Sequence, residues 1–332
     1  MTPPISRDPA ELFTAASAGD RASLARLLSM VERGGEQSRQ AARLAYREPV
    51  PYTVGLTGAP GAGKSTLTDR LITVALGGWP ATSDGESGEA LAQVAVLAID
   101  PSSPFTGGAI LGDRVRMQDH ATNPSVYIRS VATRGHLGGL ALAVPDAVRV
   151  LGAAGLPVVL IETVGVGQME VDVASAADTT VVVVTPGWGD SMQANKAGLL
   201  EVADLFVINK ADRAGVNEAR RDLEQMLDLS MLGDWRPPIV ATTASTGEGI
   251  PEMWAAIAQH RAHLRAGPEL EAGRARRLEG ELRRVLMARL GEQVERIAAG
   301  SEFASILSLL ANGTLDPYEA AARLLSNLDP EG

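Results

Sequence analysis

Residues 58–65 read GAPGAGKS, a glycine-rich run closed by a lysine and a hydroxyl residue. Glycines at this spacing let successive backbone N–H groups turn inward around a phosphate. A helix starting directly after them adds a favourable potential for the anion. Lys64 is expected to reach the β- and γ-phosphates, and the Ser65 hydroxyl to supply one oxygen to Mg²⁺. The phosphate-binding set is then Gly58, Ala59, Pro60, Gly61, Ala62, Gly63, Lys64, Ser65 and Thr66. The apolar run YTVGLT before the loop and TLTDRLI after it predict the strand–loop–helix setting that this chemistry requires.

A second run, NKAD (209–212), closes the apolar stretch DLFVIN, 145 positions after Lys64. Asp212 can accept hydrogen bonds from guanine N1–H and the 2-amino group, neither of which adenine offers. Asn209 can meet another edge of the base, and the Lys210 stem can pack over the ring. A site that leaves Asp212 unpaired against adenine can discriminate by as much as about 10⁴-fold. In TTASTGEG (242–249), the backbone N–H groups of Thr243 and Ala244 are candidates for guanine O6. The cofactor pair expected from these motifs is GTP/GDP with Mg²⁺, in preference to ATP.

The third run is IETVGVGQME (161–170). Glu162 ends the apolar run PVVLIE, where a carboxylate can hold Mg²⁺ through a water. Gly165 lets a backbone N–H approach the γ-phosphate. Ras-type enzymes carry next a glutamine that orients the attacking water. Here Val166 stands at that point, and Gln168 lies two residues too far along. An apolar side chain cannot orient water, so slow intrinsic hydrolysis is expected, completed by a partner or by loop movement.

Two more carboxylates belong with these. Asp100 ends the apolar run in AIDPSS, and Asp113 follows thirteen positions later in GGAILGDRVRM. Either can touch Mg²⁺ or its waters, and Asp113 can position the nucleophile. The alternatives are a turn-initiating Asp before Pro101 and a surface ion pair of Asp113 with Arg114 or Arg116. Lys64, Lys196 and Lys210 are the only lysines, and each falls inside a candidate nucleotide motif. A compact ammonium is not interchangeable with a planar guanidinium, which gives a reason for lysine to persist there. His120, His136, His260 and His263 show no metal-ligand spacing and are expected on the surface.

The elements that must position these groups follow from apolar patterning. Seven short runs rich in Val, Ile and Leu, at 52–57, 94–99, 125–129, 157–162, 179–185, 204–209 and 238–243, predict strands buried on both faces. Their alternation with helical segments predicts an α/β fold, a P-loop NTPase with a mainly parallel, doubly wound sheet. Residues 1–48 read as a helical region and 49–265 as the nucleotide-binding domain. Residues 266–332 read as a helical arm, with one long helix and two shorter ones around 302–311 and 317–328. The stretch 77–90 reads as a polar surface loop.

Composition bounds the rest. The 332 residues are 45% hydrophobic and 21% charged, as in an ordinary globular protein. A net charge of −10 argues against a general nucleic-acid binder, and cysteine is absent. No apolar run approaches the roughly 18 residues that span a bilayer, and the first residues carry no apolar signal core. A cytoplasmic protein without a membrane partner is expected.

The ordered set GAPGAGKST, AIDPSSPFTGGAILGDRVRM, RGHLGGLA, IETVGVGQME, PGWGDSMQANKAG, NKAD and TGEGI resembles the MeaB/ArgK family of methylmalonyl-CoA mutase-associated GTPases. The resemblance covers roughly residues 10–330 and is densest from 55 to 250. It implies a GTPase whose turnover gates adenosylcobalamin loading and protection of the mutase, and a homodimer with a helical C-terminal arm. It maps metal and switch carboxylates onto Asp100, Asp113 and Glu162. A third switch maps onto 186–198, with Lys196 as the residue of partner-coupled activation. Val166 then suits a regulated switch completed by its client.

The third switch departs from the family's usual PGxGDELQGxKxG at Trp188, Ser191, Met192, Ala194 and Asn195, and Met169 replaces a small serine. These changes touch mutase coupling rather than nucleotide chemistry. The competing readings are an ATP-dependent kinase linked to amino-acid transport, a nucleotide-bound scaffold with little turnover, and a chaperone of another cobalamin-dependent mutase such as isobutyryl-CoA mutase.

Overall fold

The computed structural model describes residues 8–81, 88–101, 117–120, 122–133, 139–163, 176–187, 202–230 and 233–326. For 100–101, 118, 132–133 and 139–142 only the backbone is described. The chain runs through three helices, α1 (Pro9–Ser17), α2 (Arg21–Arg33) and α3 (Glu36–Ala45), before the first strand, β1 (Tyr52–Gly58). Then come α4 (Lys64–Ala75), β2 (Val94–Pro101), β3 (Val126–Thr133), α5 (Gly139–Ala153) and β4 (Val158–Thr163). Next are β5 (Thr179–Val184), β6 (Leu205–Asn209), α6 (Val216–Leu229), β7 (Ile239–Thr242) and α7 (Ile250–Ala266). The chain continues as α8 (Glu269–Ala298), α9 (Ser301–Ala311) and α10 (Pro317–Ser326).

All seven predicted strands form, in one sheet of order β3-β2-β4-β1-β5-β6-β7. Every pairing is parallel, with β1 between β4 and β5. Alternate residues of a strand face opposite sides, so each apolar run serves two cores. Val54, Leu56, Val96, Leu160 and Val183 pack with Leu67 and Leu71 of α4 and with Trp254 and Ile257 of α7. Leu97, Ile99, Val159 and Ile161 pack on the other face with Val148 and Leu151 of α5 and with Leu12, Leu27 and Leu28 of α1 and α2. Each fully buried side chain of this size contributes about 1.5–3 kcal/mol. The helices preceding β1 are thus built into one of the sheet's two cores.

A parallel sheet leaves two edges open to wrong pairing. Arg21 donates to Pro124 O and Val126 O at the β3 edge, and Arg220 donates to Ile239 O at the β7 edge. Both edges therefore carry an arginine on their backbone carbonyls.

The chain divides into two compact units, Met1–Leu278 and Glu279–Gly332, with the division inside α8. In the first unit Asp178, at the entry to β5, is buried and accepts from Thr53, Arg274 and Arg277. These bonds fix the first turns of α8 to β1 and β5. The second unit has few buried apolar residues. Leu282, Leu286, Leu290 and Val294 of α8 are 51–59% exposed, and their spacing of four residues sets them along one helix stripe. No helix among the described residues is long and apolar enough to cross a membrane.

Candidate nucleotide site

Ligands of doubly wound folds bind beyond the carboxyl ends of the strands. Here β1 ends at Gly58, with φ +137°, where a Cβ would stand 2.1 Å from Val183 O. No side chain fits there, so the chain can leave the sheet only through a glycine. Gly63 closes the loop in the left-handed region at φ +94°, with a Cβ position 2.3 Å from Asn209 Nδ2. α4 starts at the next residue, and no side chain caps its N-terminus. Its first N–H groups are therefore oriented for an anion.

Lys64 is 6% exposed, and its Nζ donates to Gly58 O at 2.6 Å and Ala59 O at 3.1 Å. A buried ammonium needs acceptors, and the loop's own carbonyls supply them. The Ser65 hydroxyl donates to Glu162 Oε1, both residues being buried. In the register, Glu162 lies beside Leu56 of β1 and Ala98 of β2, which brings the end of β4 to the phosphate loop. Asp100 lies two residues beyond Ala98 on β2, at the carboxyl end of the strand next to Glu162. Thr57 Oγ1 and Thr163 Oγ1, which flank Gly58 and Glu162 in sequence, are buried without a hydrogen-bond partner among the described residues. A hydroxyl against a carboxylate, beside orphaned hydroxyls and an uncapped helix start, fits Mg²⁺ with phosphate. That ion takes one or two protein oxygens and leaves its other positions to water and phosphate.

The base-side motif meets this loop directly. Asn209 ends β6, its Nδ2 donating to Ala62 O at 2.8 Å, and Lys210 Nζ donates to Gly61 O at 2.7 Å. Lys210 has φ +61°, the only positive φ outside glycine among the described residues. Asn209 Oδ1 accepts from Thr242 Oγ1 and from Ala244 N–H, each at 3.2 Å. The Asn209 side chain therefore ties the phosphate loop to the 242–249 loop. Asp212 is exposed, one turn beyond this junction.

The two N–H groups expected at guanine O6 have partners within the protein. Thr243 N–H donates to Glu248 O at 2.9 Å across an antiparallel bridge, and Ala244 N–H is directed at Asn209. Arg70 of α4 holds the same loop, with Nε donating to Ala244 O at 3.3 Å and Nη2 to Ser245 O at 3.4 Å. Sequence reading gave no role to Arg70, which lies outside the spaced motifs, or to Thr242, whose run TTASTGEG was read only for the backbone of Thr243 and Ala244. Asp113, Gly165, Val166, Gln168 and Lys196 lie outside the described residues, as does the third switch beyond Gly187.

Histidine placement also differs from expectation. His260 is buried, with Nδ1 2.9 Å from Thr179 Oγ1 and Nε2 3.4 Å from Asp204 Oδ1. Burial and the neighbouring His263 push its imidazole down to about 4, and burial pushes the Asp204 carboxyl up to about 7. His120 lies against α4, its Nε2 3.1 Å from Asp69 O.

Residues 24–299 match the family model described as methylmalonyl Co-A mutase-associated GTPase MeaB. The chain belongs to the MeaB family of GTPases. Within that family it is 46% identical over 326 residues to a Pyrococcus abyssi protein named as a candidate GTPase, covering 96% of each chain. GTPase ArgK of Escherichia coli is 35% identical over 320 residues, with 92% of each chain covered. The mouse methylmalonic aciduria type A homolog, mitochondrial, is 35% identical over 283 residues, covering 79% of this chain and 65% of that one. The crystal structure of an LAO/AO transport system kinase superposes with a TM-score of 0.67 at 27% identity, covering 97% of this chain and 98% of that chain. The family supports GTP hydrolysis in general, and in this chain the glycine-hinged loop brings Lys64, Ser65 and Glu162 together at the start of α4.

Proposed function

We propose that this MeaB-family chain is a GTP-hydrolysing chaperone of an adenosylcobalamin-dependent acyl-CoA mutase, methylmalonyl-CoA mutase foremost. The observation that carries the site is the junction of two distant motifs, Asn209 and Lys210 each donating to a phosphate-loop carbonyl. A nucleotide held at that junction spans both, with its phosphates at the α4 N-terminus and its base toward Asp212. Lys64 would exchange the carbonyls of Gly58 and Ala59 for β- and γ-phosphate oxygens, and Ser65 would offer the metal a lone pair while its proton stays on Glu162. When bound, Mg²⁺ neutralises charge on those phosphates. Glu162 and Asp100, at the ends of adjacent strands, would hold its waters. Asp113 is assigned to positioning the nucleophile, Gly165 to the γ-phosphate, and Lys196 to activation by the client.

Support for the client comes from the family description and from the mouse relative's name. The exposed stripe on α8 supports a homodimer formed through the 266–332 arm, beside a 49–265 nucleotide domain and a 1–48 helical region. A cytoplasmic location completes the reading. The test is cofactor loading of the apo-mutase, followed by cobalamin absorbance with this protein in its GTP and GDP forms. Loading that differs between the two forms is expected. Loading indifferent to this protein, for methylmalonyl- and isobutyryl-CoA mutases alike, contradicts the chaperone role.

A further inference from the structure

Arg70 belongs to neither the phosphate set nor the metal set, yet it reaches from α4 to the loop after β7. Its Nε and Nη2 donate to two consecutive carbonyls, Ala244 O and Ser245 O. A guanidinium offers neighbouring N–H groups in a fixed plane, which suits two adjacent acceptors and holds both in one orientation. The peptide bonds are trans among the described residues. In a trans peptide the N–H points opposite to the carbonyl, so the Ser245 N–H faces away from Arg70.

Of the amides from Thr243 to Gly247, four are engaged. Thr243 N–H bonds Glu248 O, Ala244 N–H is directed at Asn209 Oδ1, and Thr246 and Gly247 N–H both bond Thr243 O. Ser245 is exposed, and its N–H has no acceptor among the described residues. Among residues 243–247 it is the donor left open, next in sequence to the Ala244 that meets Asn209.

We propose that Arg70 is a positioning residue for base recognition, holding the Ala244–Ser245 peptide so that the Ser245 N–H meets guanine O6. This rests on the guanine reading of Asn209 to Asp212. A 6-amino group presents a donor where guanine presents an acceptor, so a fixed N–H at that point rejects it. Arg70 rides the helix whose first turn takes the phosphates. Base discrimination and phosphate binding thereby share one rigid element.

The test compares dissociation constants of the full chain for GTP, 2-aminoadenosine triphosphate and ATP, before and after Arg70→Met and Arg70→Lys. 2-Aminoadenosine triphosphate keeps the phosphates, ribose and 2-amino group, replaces O6 with an amino donor and makes N1 an acceptor, and only the O6 change is read by the loop that Arg70 holds. Arg70→Met is expected to shrink the preference for GTP over 2-aminoadenosine triphosphate about five- to tenfold, the effect of about one hydrogen bond. Arg70→Lys, which keeps a donor without the planar fork, is expected to fall between. An unchanged preference, or equal weakening of all three nucleotides with a lower Tm, overturns the proposal and leaves Arg70 a structural contact. Wild-type protein that binds ATP as tightly as GTP would instead refute the guanine reading itself.

Discussion

The Ser65 hydroxyl donates to the Glu162 carboxylate, joining two residues 97 positions apart at the floor of the phosphate loop. Metal binding need not open this contact, because a hydroxyl that gives its proton to the carboxylate keeps its lone pairs for the ion. Glu162→Gln keeps an acceptor for Ser65 but removes the charge that holds metal waters. The variant is expected to stay folded, bind GDP without Mg²⁺ as before, and lose about 10–100-fold of Mg²⁺-dependent GTP turnover. Turnover equal to wild type would take Glu162 out of the metal site.

Asp212 is exposed beside the Asn209–Lys210 junction, free to meet a base. Asp212→Asn turns one acceptor into a donor and should shift preference from guanine to xanthine nucleotides, which carry a 2-oxo group. Competition between GTP and xanthosine triphosphate measures it. The same ranking in both proteins would place base recognition elsewhere.

Asp204 and His260 give stability opposite slopes with pH. The Asp204 carboxyl, raised to about 7 from 3.8 by burial, keeps a proton in the folded state that the unfolded chain has released. Its contribution therefore falls as pH rises from about 4 to about 7. His260, lowered to about 4 from 6.5, loses stability in the other direction, as pH drops through that window. Asp204→Asn removes the first slope and exposes the second. Urea midpoints should show the variant gaining on wild type between pH 5 and pH 8. A constant difference would mean that Asp204 titrates like an exposed carboxylate.

Leu282, Leu286 and Leu290 lie on the exposed stripe of α8. Contiguous apolar surface of this kind marks an interaction site. Leu286→Glu is expected to shift the protein from dimer to monomer in analytical ultracentrifugation, with basal GTP turnover retained. A variant that sediments like wild type would remove this stripe from the interface.

Much of this was legible in the sequence, for identifiable reasons. The strands of a parallel sheet buried on both faces are largely apolar runs, as 179–184 shows for β5, so all seven could be read from such runs. Gly58 and Gly63 could be read because each stands where a Cβ collides with Val183 O or Asn209 Nδ2. Contacts made by side chains outside spaced motifs were hidden. His260 looked like a surface residue because α7 is polar in sequence there, yet it is buried between Thr179 and Asp204. The engagement of Thr243 N–H by Glu248 depends on how the loop folds back, which four residues of sequence do not reveal.

The most direct test of the account is steady-state GTP hydrolysis with Mg²⁺, measured alone and with the cobalamin-dependent mutase, with ATP as control. The account predicts slow turnover of GTP, little of ATP, and a strong rise with the mutase, as Val166 in place of a water-orienting residue requires. A preference for ATP would contradict the reading of Asn209 to Asp212, and GTP turnover untouched by the mutase would contradict the client-gated switch.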